Sequence, residues 1–408
     1  MSDDAPVPSA EASSAEAAER LAAEMHAHSA RLEALIRDQI HGNGGALPFW
    51  RFMELALYAP GLGYYSAGAT KLGAAGDFVT APELGPLFAE CVAEALAPAL
   101  SQCGPDADFL EIGGGSGAFA EAALEHLQAL QALPRHYLIL EPSADLRERQ
   151  RERLRARLAP ALFARVHWLD GPVAQDWNGV VFANEVLDAL PTSRFALLGG
   201  EVYEEHVTVG ADGRLRRIDR PADALLSAAV RHLERQCGHD FAEGYRSEVL
   251  PQLPYWLQAV IGGLRSGAIL LIDYGYPRRE YYDPRRGDGT LRAFHRHRLV
   301  EDVLANLGLQ DITASVDFTA VAEAGTGAGF DFDGYCNQAS FLIGNGLDRR
   351  LAAHEAASAD EVAHHALRQQ AKKLTLPGEM GERFQAIGFS RDASLAHAFL
   401  VGDLSFRL

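Results

Sequence analysis

The spacing of apolar residues changes along the chain, and these changes predict its elements. In the N-terminal quarter the apolar residues recur at helical intervals over residues 21–36 and again in the run that begins at Pro48. A third helix is predicted over residues 82 to about 100, because Thr80 and Glu83 have the spacing of a capping box in front of it. The first part of the chain is therefore predicted to be helical.

Short apolar runs then alternate with helical patterns. The runs that read as strands are "DFLEIG", "HYLILEP", "ARVHWLDG" and "GVVFANE". Buried strands separated by helices indicate a parallel sheet that is covered on both faces. The alternation breaks after Pro191, where Gly-Gly and Asp-Gly turns predict two or three antiparallel strands, followed by two helical patterns. The apolar run "GAILLIDYG" then resumes the sheet.

These patterns predict an α/β protein with one sheet-containing core and three flanking parts. The predicted parts are a disordered tail at 1–20, an N-terminal helical region at 21–105, a core at 106–345 with an insertion at about 192–262, and a C-terminal helix with a closing module at 346–408. The tail is assigned from its Ala-, Ser- and acid-rich composition. Near the end of the core, residues 298–307 read as a helix and residues 339–343 as a strand.

Composition narrows the class of protein. An apolar content of 48% and a charged content of 23% are those of a globular protein, and the net charge of −18 argues against nucleic acid or an anionic membrane as the main partner. The cysteines are scattered, with no CxxC pair and no histidine at zinc spacing, so neither a disulfide framework nor a metal site is predicted. Signal-peptide and membrane-span patterns are absent from the sequence, which leads us to expect a cytosolic protein.

The stretch "FLEIGGGSGAFAEAAL" is the strongest candidate for a nucleotide site. Gly113, Gly115 and Gly117 fit GxGxG at a strand-to-helix turn, and with Ala118 they also fit the dinucleotide pattern GxGxx(G/A). A Walker phosphate loop is excluded, because no Gly-Lys-Ser/Thr follows. The glycines alone leave a dinucleotide and S-adenosyl-L-methionine open, beside a plain glycine-rich turn.

Two carboxylates change this balance. Glu111 lies two residues before the first glycine, where dinucleotide sites carry packing residues, and an acid there can hold the ammonium end of S-adenosyl-L-methionine. Glu141 ends the next strand and is placed to accept hydrogen bonds from ribose hydroxyls, which both nucleotides require. Glu111 therefore favours S-adenosyl-L-methionine as the cofactor, although both acids could also be surface residues.

Motifs along most of the chain resemble one family. They are "FMELALYAPGLGYY", "GDFVTAPELGPLF", "LEIGGGSG", "LILEPS", "VVFANEVLDALP", "LLIDYGYPRREYYDPRRGDGTLRAFHRHR", "LQDITASVDFTAVA", "NQASFLIGNG" and "LPGEMGERF". Together they resemble the MidA-like family of S-adenosyl-L-methionine-dependent methyltransferases. Its mitochondrial members are complex I assembly factors that symmetrically dimethylate an arginine of a core complex I subunit.

The resemblance implies a Rossmann-like class I methyltransferase core with an N-terminal helical region and inserted antiparallel strands and helices. It implies S-adenosyl-L-methionine as cofactor, methylation of an arginine in a protein substrate, and a complex I subunit as one candidate partner. It also raises Gly76 and Asp77, in the glycine-rich loop before the third helix, to candidates for cofactor binding. The oligomeric state is not predicted.

The stretch "VVFANEVLDALP" is the candidate substrate site. Its strand ends at the ligand-binding edge of the sheet, so Asn184, Glu185 and Asp188 are predicted there. Paired carboxylates can hold a planar guanidinium bidentately and orient it for methyl transfer. On the other interpretation, Asn184 caps a helix and Asp188 faces solvent.

Weaker candidates end other strands. Trp168 and Asp170 are predicted to lie near the adenine of the cofactor, unless Trp168 is a core residue. His295 and His297 could form a general base pair or a polar rim, and Asp273 ends another strand at the ligand edge. Two other functions stay open, an assembly chaperone that binds the cofactor without turnover and an NAD-linked oxidoreductase.

Overall fold

The computed structural model describes residues 10–67, 80–296 and 298–408. Gly76, Asp77 and His297, all candidates from the sequence, lie outside the described residues. Among the residues that are described, no helix is both long enough and apolar enough to cross a membrane.

Helices and strands alternate through much of the chain. The helices are α1 Ala10–Gly42, α2 Phe49–Tyr58, α3 Pro86–Gln102, α4 Ala118–Ala129, α5 Ala144–Arg157, α6 Pro160–Phe163, α7 Ala224–Cys237, α8 Leu253–Ile261, α9 Arg278–Tyr281, α10 Phe318–Gly327, α11 Gln338–Gly344, α12 Leu347–Ala357 and α13 Glu361–Thr375. The strands are β1 Ala46–Pro48, β2 Asp108–Ile112, β3 Tyr137–Leu140, β4 Val166–Leu169, β5 Trp177–Asn184, β6 Ser193–Leu198, β7 Glu201–Val209, β8 Leu215–Pro221, β9 Arg246–Val249, β10 Leu264–Tyr276, β11 Arg292–His295, β12 Arg298–Val300, β13 Asp311–Thr313, β14 Val316–Asp317, β15 Asp331–Asn337 and β16 Phe384–Arg391.

The central sheet has the strand order β15-β16-β10-β5-β2-β3-β4, with β14 beside β10. Strands β10, β5, β2, β3 and β4 run parallel, as their continuous apolar runs predicted, whereas β16 runs antiparallel to β10. One apolar face packs on α3 and α4, for example through Phe88 and Phe119, and the other packs on α8 and α10 through Leu257 and Val321. The predicted α/β fold is confirmed.

The insertion forms a second, antiparallel sheet. It contains β6, β7, β8 and β9, and β1 from the N-terminal region joins β7. The Gly-Gly turn between β6 and β7 was correctly predicted, with Gly199 and Gly200 both at positive φ. Arg194 is fully buried in this sheet and forms ion pairs with Glu205 and Glu248, which satisfy its charge.

Three predictions of local structure are wrong. Helix α1 begins at Ala10, so residues 10–20 are not a disordered tail; alanine and glutamate have high helix propensity. The predicted helix over 298–307 begins instead with β12, because the edge of β11 pairs with it. The predicted strand over 339–343 lies in α11, whose first turn is capped by the Asn337 side chain accepting the Ser340 N–H at 2.8 Å.

The C-terminal part continues the central sheet. The single C-terminal helix predicted within residues 346–408 is two helices, α12 and α13, because Ser358 to Asp360 interrupt them and Asp360 caps α13. Strand β16 pairs with β10 from Gly267 opposite Arg391 to Tyr274 opposite Phe384. The predicted boundary between residues 345 and 346 therefore divides one sheet.

Candidate active site at the carboxyl edge of the central sheet

A cavity of about 1020 Å³ opens at the carboxyl ends of β2, β3, β5 and β10. This is the edge at which open α/β sheets bind ligands. Its lining includes most of the site residues that the sequence singled out. Those residues are Glu111, Gly113, Gly115, Glu141, Asp170, Asn184, Glu185 and Asp188.

The glycine turn between β2 and α4 brings bare backbone to the cavity. Gly113, Gly115 and Gly117 have φ of 71°, 53° and 83°, a region that L side chains rarely adopt. A Cβ on Gly113 would lie 2.9 Å from Val186 Cγ2, so the turn has no space for a side chain at this position. Gly117 does not line the cavity; it ends the turn and precedes α4.

Glu111 is a buried carboxyl at the floor of the cavity. Its side chain is 3% exposed and accepts a hydrogen bond from the Tyr137 hydroxyl at 2.9 Å. Burial raises the pKa of Glu111 to about 8, although the Tyr137 hydrogen bond opposes this shift. The other group that shifts it is Glu141, which is also an acid. An ammonium group in the cavity would provide a positive counterion for the Glu111 carboxylate.

Glu141 ends β3 and is held by the backbone and by an amide side chain. It accepts hydrogen bonds from the Ser143 N–H at 3.0 Å and from Gln150 Nε2 at 3.4 Å. Burial raises the pKa of Glu141 to about 7, against the effect of these hydrogen bonds. Gln150 also donates to the Gly115 carbonyl at 2.9 Å, so one amide ties the ribose-binding candidate to the glycine turn.

The two candidates at the end of β4 have different places. Trp168 does not line the cavity; it packs partly buried against the core and donates its indole N–H to Gln150 Oε1 at 2.8 Å. Trp168 therefore orients Gln150 in this structure. Asp170 does line the cavity, with an exposed carboxylate 2.6 Å from Arg147 Nη1.

The turn after β5, from Glu185 to Asp188, contributes two carboxyl side chains to the cavity. We call it the acidic turn, and the part of the cavity beside it the acidic end. Glu185 has φ of 53°, which is unusual for a residue other than glycine and costs about 1–3 kcal/mol. The buried Asp273 side chain at the end of β10 holds the turn. Its Oδ2 accepts the backbone N–H groups of Val186 at 3.1 Å, Leu187 at 2.8 Å and Asp188 at 3.2 Å. Asp273 thus positions the turn.

Glu185 and Asp188 are two carboxyls that line the cavity three residues apart. Burial first, and then the Asp188 charge, raises the pKa of Glu185 to about 8. Burial raises the pKa of Asp188 to about 6 while the Tyr274 hydroxyl, 2.5 Å from Asp188 Oδ2, opposes the shift. Asp188 Oδ1 is buried without a hydrogen-bond partner in the described part of the chain. Such an arrangement is suited to binding a cation.

The other interpretation of this turn, in which Asn184 caps a helix and Asp188 faces solvent, is wrong. Asn184 caps no helix; its amide donates to Glu185 Oε1 at 3.0 Å. Asp188 is 6% exposed and does not face solvent. The capping box also fails, because the Thr80 side chain makes no capping hydrogen bond and Glu83 accepts one from Ser116.

Three further residues complete the acidic end: Tyr65, which the sequence indicated only as a weak candidate or a packing aromatic, and Tyr58 and Asp311, which it did not single out. The Tyr58 hydroxyl donates to the Ala189 carbonyl at 2.9 Å, and the Tyr65 hydroxyl donates to Asp311 Oδ1 at 3.0 Å. Both tyrosines and Asp311 line the cavity. Asp311 lies in the motif "LQDITASVDFTAVA", which was quoted for the family resemblance and gave Asp311 no role. His295 does not line the cavity, and its Nδ1 lies 2.6 Å from the Leu309 carbonyl.

Comparisons with known proteins agree with this geometry. A family model of S-adenosyl-L-methionine-dependent methyltransferases matches residues 91–336. The chain is similar to the mitochondrial protein arginine methyltransferase NDUFAF7 of Danio rerio, with 28% identity covering 86% of this chain and 85% of the relative. The corresponding Homo sapiens protein is 27% identical, covering 83% of this chain and 79% of its own.

A solved structure is more similar still. It is a crystal structure of a protein from Burkholderia thailandensis, described as a "likely methyl transferase", with S-adenosyl-homocysteine bound. It is 40% identical, covers 99% of this chain and 100% of its own, and superposes with a TM-score of 0.87.

Proposed function

The chain belongs to the family of S-adenosyl-L-methionine-dependent methyltransferases, and on that premise we propose that it methylates an arginine side chain of a protein substrate. The observation that carries the arginine proposal is the pair Glu185 and Asp188, two carboxyls that line the cavity at the turn after β5 and have raised pKa values. A guanidinium remains charged at neutral pH and binds carboxylates bidentately. The named activity of the Danio rerio and Homo sapiens relatives supports the same proposal.

The part of the cavity formed by the ends of β2 and β3 is suited to bind the cofactor. The backbone of Gly113 and Gly115 would allow close approach of the nucleoside, and Glu141 would accept hydrogen bonds from its ribose hydroxyls. Glu111 would hold the ammonium group, which compensates a carboxyl buried beside another acid. When bound, S-adenosyl-L-methionine supplies a methyl group that is activated by its positively charged sulfur.

The chain's own contribution at the acidic end is orientation and proton acceptance. Carboxylates on one side of the guanidinium leave one nitrogen directed to the methyl group, and such positioning accounts for much of the rate of a transfer reaction. The methylated nitrogen must lose a proton. The Glu185 carboxyl, with its pKa raised to about 8, is suited to accept that proton at neutral pH.

A transfer assay tests the proposal. The full-length protein would be incubated with S-adenosyl-L-methionine carrying a labelled methyl group and with extract from cells that lack the protein, and the labelled product would be hydrolysed. Label in methylarginine is the expected result; label in another amino acid would contradict an arginine substrate. Because mitochondrial members of the resembling family modify a complex I subunit, a purified subunit of that complex is the first defined substrate to test.

The same assay separates this proposal from the chaperone. A chaperone would bind S-adenosyl-homocysteine in calorimetry yet leave every protein in the extract unlabelled. A matched pair of variants isolates the site, since Glu185→Gln removes a carboxylate from the cavity and Glu301→Gln removes one from an exposed position outside it. We expect only the first to abolish labelling.

A further inference from the structure

Asp311 is a third carboxyl at the acidic end of the cavity. It begins β13, lines the cavity and is 4% exposed. The Tyr65 hydroxyl donates to its Oδ1 at 3.0 Å, and Tyr65 stacks on Tyr58 with ring centroids 5.5 Å apart. Two aromatic rings thus lie beside a buried acid in the same cavity.

Asp311 lines the same cavity as the groups already described and acts on several of them electrostatically. Its charge raises the pKa of Glu185, Tyr58 and Tyr65, in each case together with burial as the largest cause. Its strand is also tied to the acidic turn, because the Ala314 N–H donates to the Asp188 carbonyl at 3.0 Å. Asp311 therefore lines the same cavity as Glu185 and Asp188 and acts electrostatically on Glu185.

A separate observation indicates that this space takes a ligand. Asp188 is 6% exposed, and its Oδ1 has no hydrogen-bond partner in the parts of the chain that the structure describes. The nearby Asn184 Oδ1 is also buried and unpartnered by the described residues. Buried oxygens of this kind are costly unless a donor reaches them, and both residues line the cavity.

We propose that Asp311, held in place by Tyr65, is a substrate-binding residue that makes the site select a guanidinium over an ammonium. This inference rests on the proposed arginine methyltransferase function. An ammonium is a compact point charge with three donors, whereas a guanidinium spreads five donors over a plane. Two carboxylates, Glu185 and Asp188, can satisfy an ammonium. The wider donor set of a guanidinium needs acceptors on more than one edge, and Asp311 provides the additional edge.

Binding of small probes tests this assignment in the full-length protein saturated with S-adenosyl-homocysteine. The probes are N-acetyl-arginine amide, its neutral analogue N-acetyl-citrulline amide, and N-acetyl-lysine amide, titrated by ligand-observed NMR. The variants are Asp311→Asn, which keeps shape and removes charge, and Tyr65→Phe, which removes only the hydroxyl. Glu301→Gln, an exposed carboxyl-to-amide change, is the control.

The wild-type protein should bind the arginine probe more tightly than both other probes. Losing one partner of a buried charge pair typically weakens binding by 30-fold or more, so Asp311→Asn should weaken the arginine probe by about 30-fold. The lysine probe should change by less than about 3-fold, so that the preference for arginine is lost. Tyr65→Phe should weaken the arginine probe by roughly 2- to 10-fold, as the loss of one hydrogen bond does.

The possible outcomes separate the two proposals. If Asp311→Asn and Tyr65→Phe both bind the arginine probe as tightly as Glu301→Gln does, Asp311 has no role in recognition and the inference is overturned, while the arginine proposal stands. If the wild-type protein does not distinguish arginine from citrulline, the arginine proposal itself fails and the inference fails with it. An unchanged affinity for S-adenosyl-homocysteine shows that the fold of each variant is intact. If Asp311→Asn loses this affinity, the arginine affinity of Tyr65→Phe decides whether Asp311 takes part in recognition.

Discussion

Glu111, Glu141, Glu185 and Asp188 share one property, a pKa that is raised because burial removes water from the carboxylate. Hydrogen bonds within the protein offset part of the energetic cost of burying these four acids, and cations that enter the cavity would offset more of it. The ammonium and sulfonium of the cofactor and the guanidinium of the proposed substrate are such cations. The residues that make the apo protein less stable at alkaline pH are therefore the residues assigned to ligand binding.

Glu111 allows the link between burial of an acid, pH-dependent stability and ligand binding to be measured. Its pKa of about 8 in the folded protein lies above the ordinary value of 4.5, so between those pH values the folded state binds more protons than the unfolded state. The free energy of unfolding of the apo protein should therefore fall as the pH rises from 4.5 to 8. Glu111→Gln should raise the apo Tm at pH 8.5 by at least about 2 °C and should raise it by clearly less at pH 5.5, where most of the Glu111 penalty has not yet developed.

The same substitution should weaken binding of S-adenosyl-homocysteine by about 10-fold or more, because the amide carries no charge to pair with the ammonium. Thermal unfolding at the two pH values and calorimetry check the two halves of this prediction. An equal change in Tm at both pH values would show that Glu111 is not protonated in the folded apo protein at pH 5.5.

Glu185 should control the pH dependence of the reaction. A free enzyme whose essential carboxyl has a pKa of about 8 must lose that proton to bind and deprotonate a guanidinium, so kcat/KM should rise with pH through about 8. Glu185→Gln should lower kcat by about 100-fold or more and remove this step from the pH profile, as expected for loss of a general base. A variant that retained both the rate and the step would assign the titration to another group.

Individual site residues differed in how far the sequence revealed them. The places of Glu111, Glu141, Glu185 and Asp188 in the cavity were predictable because these residues lie near or just after the ends of buried strands, which must end at one edge of the sheet. Asp311 was not, since β13 has only three residues and lies in a separate small sheet with β11 and β12. Its approach to Glu185 depends on how that sheet packs, which no local pattern encodes.

The glycine turn and the acidic turn are the two elements on which the site depends, and they touch. Val186 Cγ2, from the acidic turn, occupies the space beside Gly113. A side chain at Gly113 would push the acidic turn away from the cofactor side of the cavity. A substitution at Gly113 is therefore expected to disturb both turns.

Gly113→Ala tests this coupling. The left-handed φ of 71° alone costs about 1 kcal/mol for alanine, and the clash with Val186 adds to it. We expect a loss of at least about 10-fold in S-adenosyl-homocysteine affinity and an unfolding transition at lower temperature. Gly104→Ala is the matched control, because Gly104 has φ of 87° and open space around the position of its missing Cβ.

The control variant should lose stability but not affinity. If Gly113→Ala behaves in the same way, with unaltered affinity, the glycine turn does not contact the cofactor. Calorimetry and thermal unfolding of the two variants, measured side by side, give both quantities.

The elements that the sequence predicted well are those with long or repeated patterns. The buried strands β2, β5 and β10 were clear because parallel strands covered on both faces are continuously apolar. Short apolar runs were ambiguous, since a run of five residues such as 339–343 fits a buried strand or one side of a helix. At 339–343 the Asn337 cap stabilises the helix. At 298–300 a strand forms because it pairs with the edge of β11.

At the scale of the whole molecule, the cavity is built by parts that are distant in sequence. The N-terminal region supplies Tyr58 and Tyr65, the central sheet supplies the acids, and Asp311 comes from near residue 310. The matched family region, residues 91–336, lacks both the tyrosines and β16. The sequence suggested a closing module after residue 345 because no local signal shows that β16 returns to the central sheet between β15 and β10.

Truncation tests whether that C-terminal part is separable. A chain ending at Asn345 would lack β16, leaving β10 with an unpaired edge and the apolar side chains around Ile387 and Phe389 without their packing. We expect it to show no cooperative thermal transition and no S-adenosyl-homocysteine binding, with the full-length chain as control. A truncated chain that unfolded cooperatively and bound S-adenosyl-homocysteine would make residues 346–408 an independent module.

The most direct measurement is a comparison of arginine methylation, by mass spectrometry, in native cells, in cells lacking the protein and in cells carrying Glu185→Gln at the native locus. We predict at least one arginine whose methylation is present in native cells and lost to the same extent in the other two strains, while the Glu301→Gln strain matches native cells. Identical arginine methylation in all strains would contradict the assignment of this acidic cavity to a substrate guanidinium.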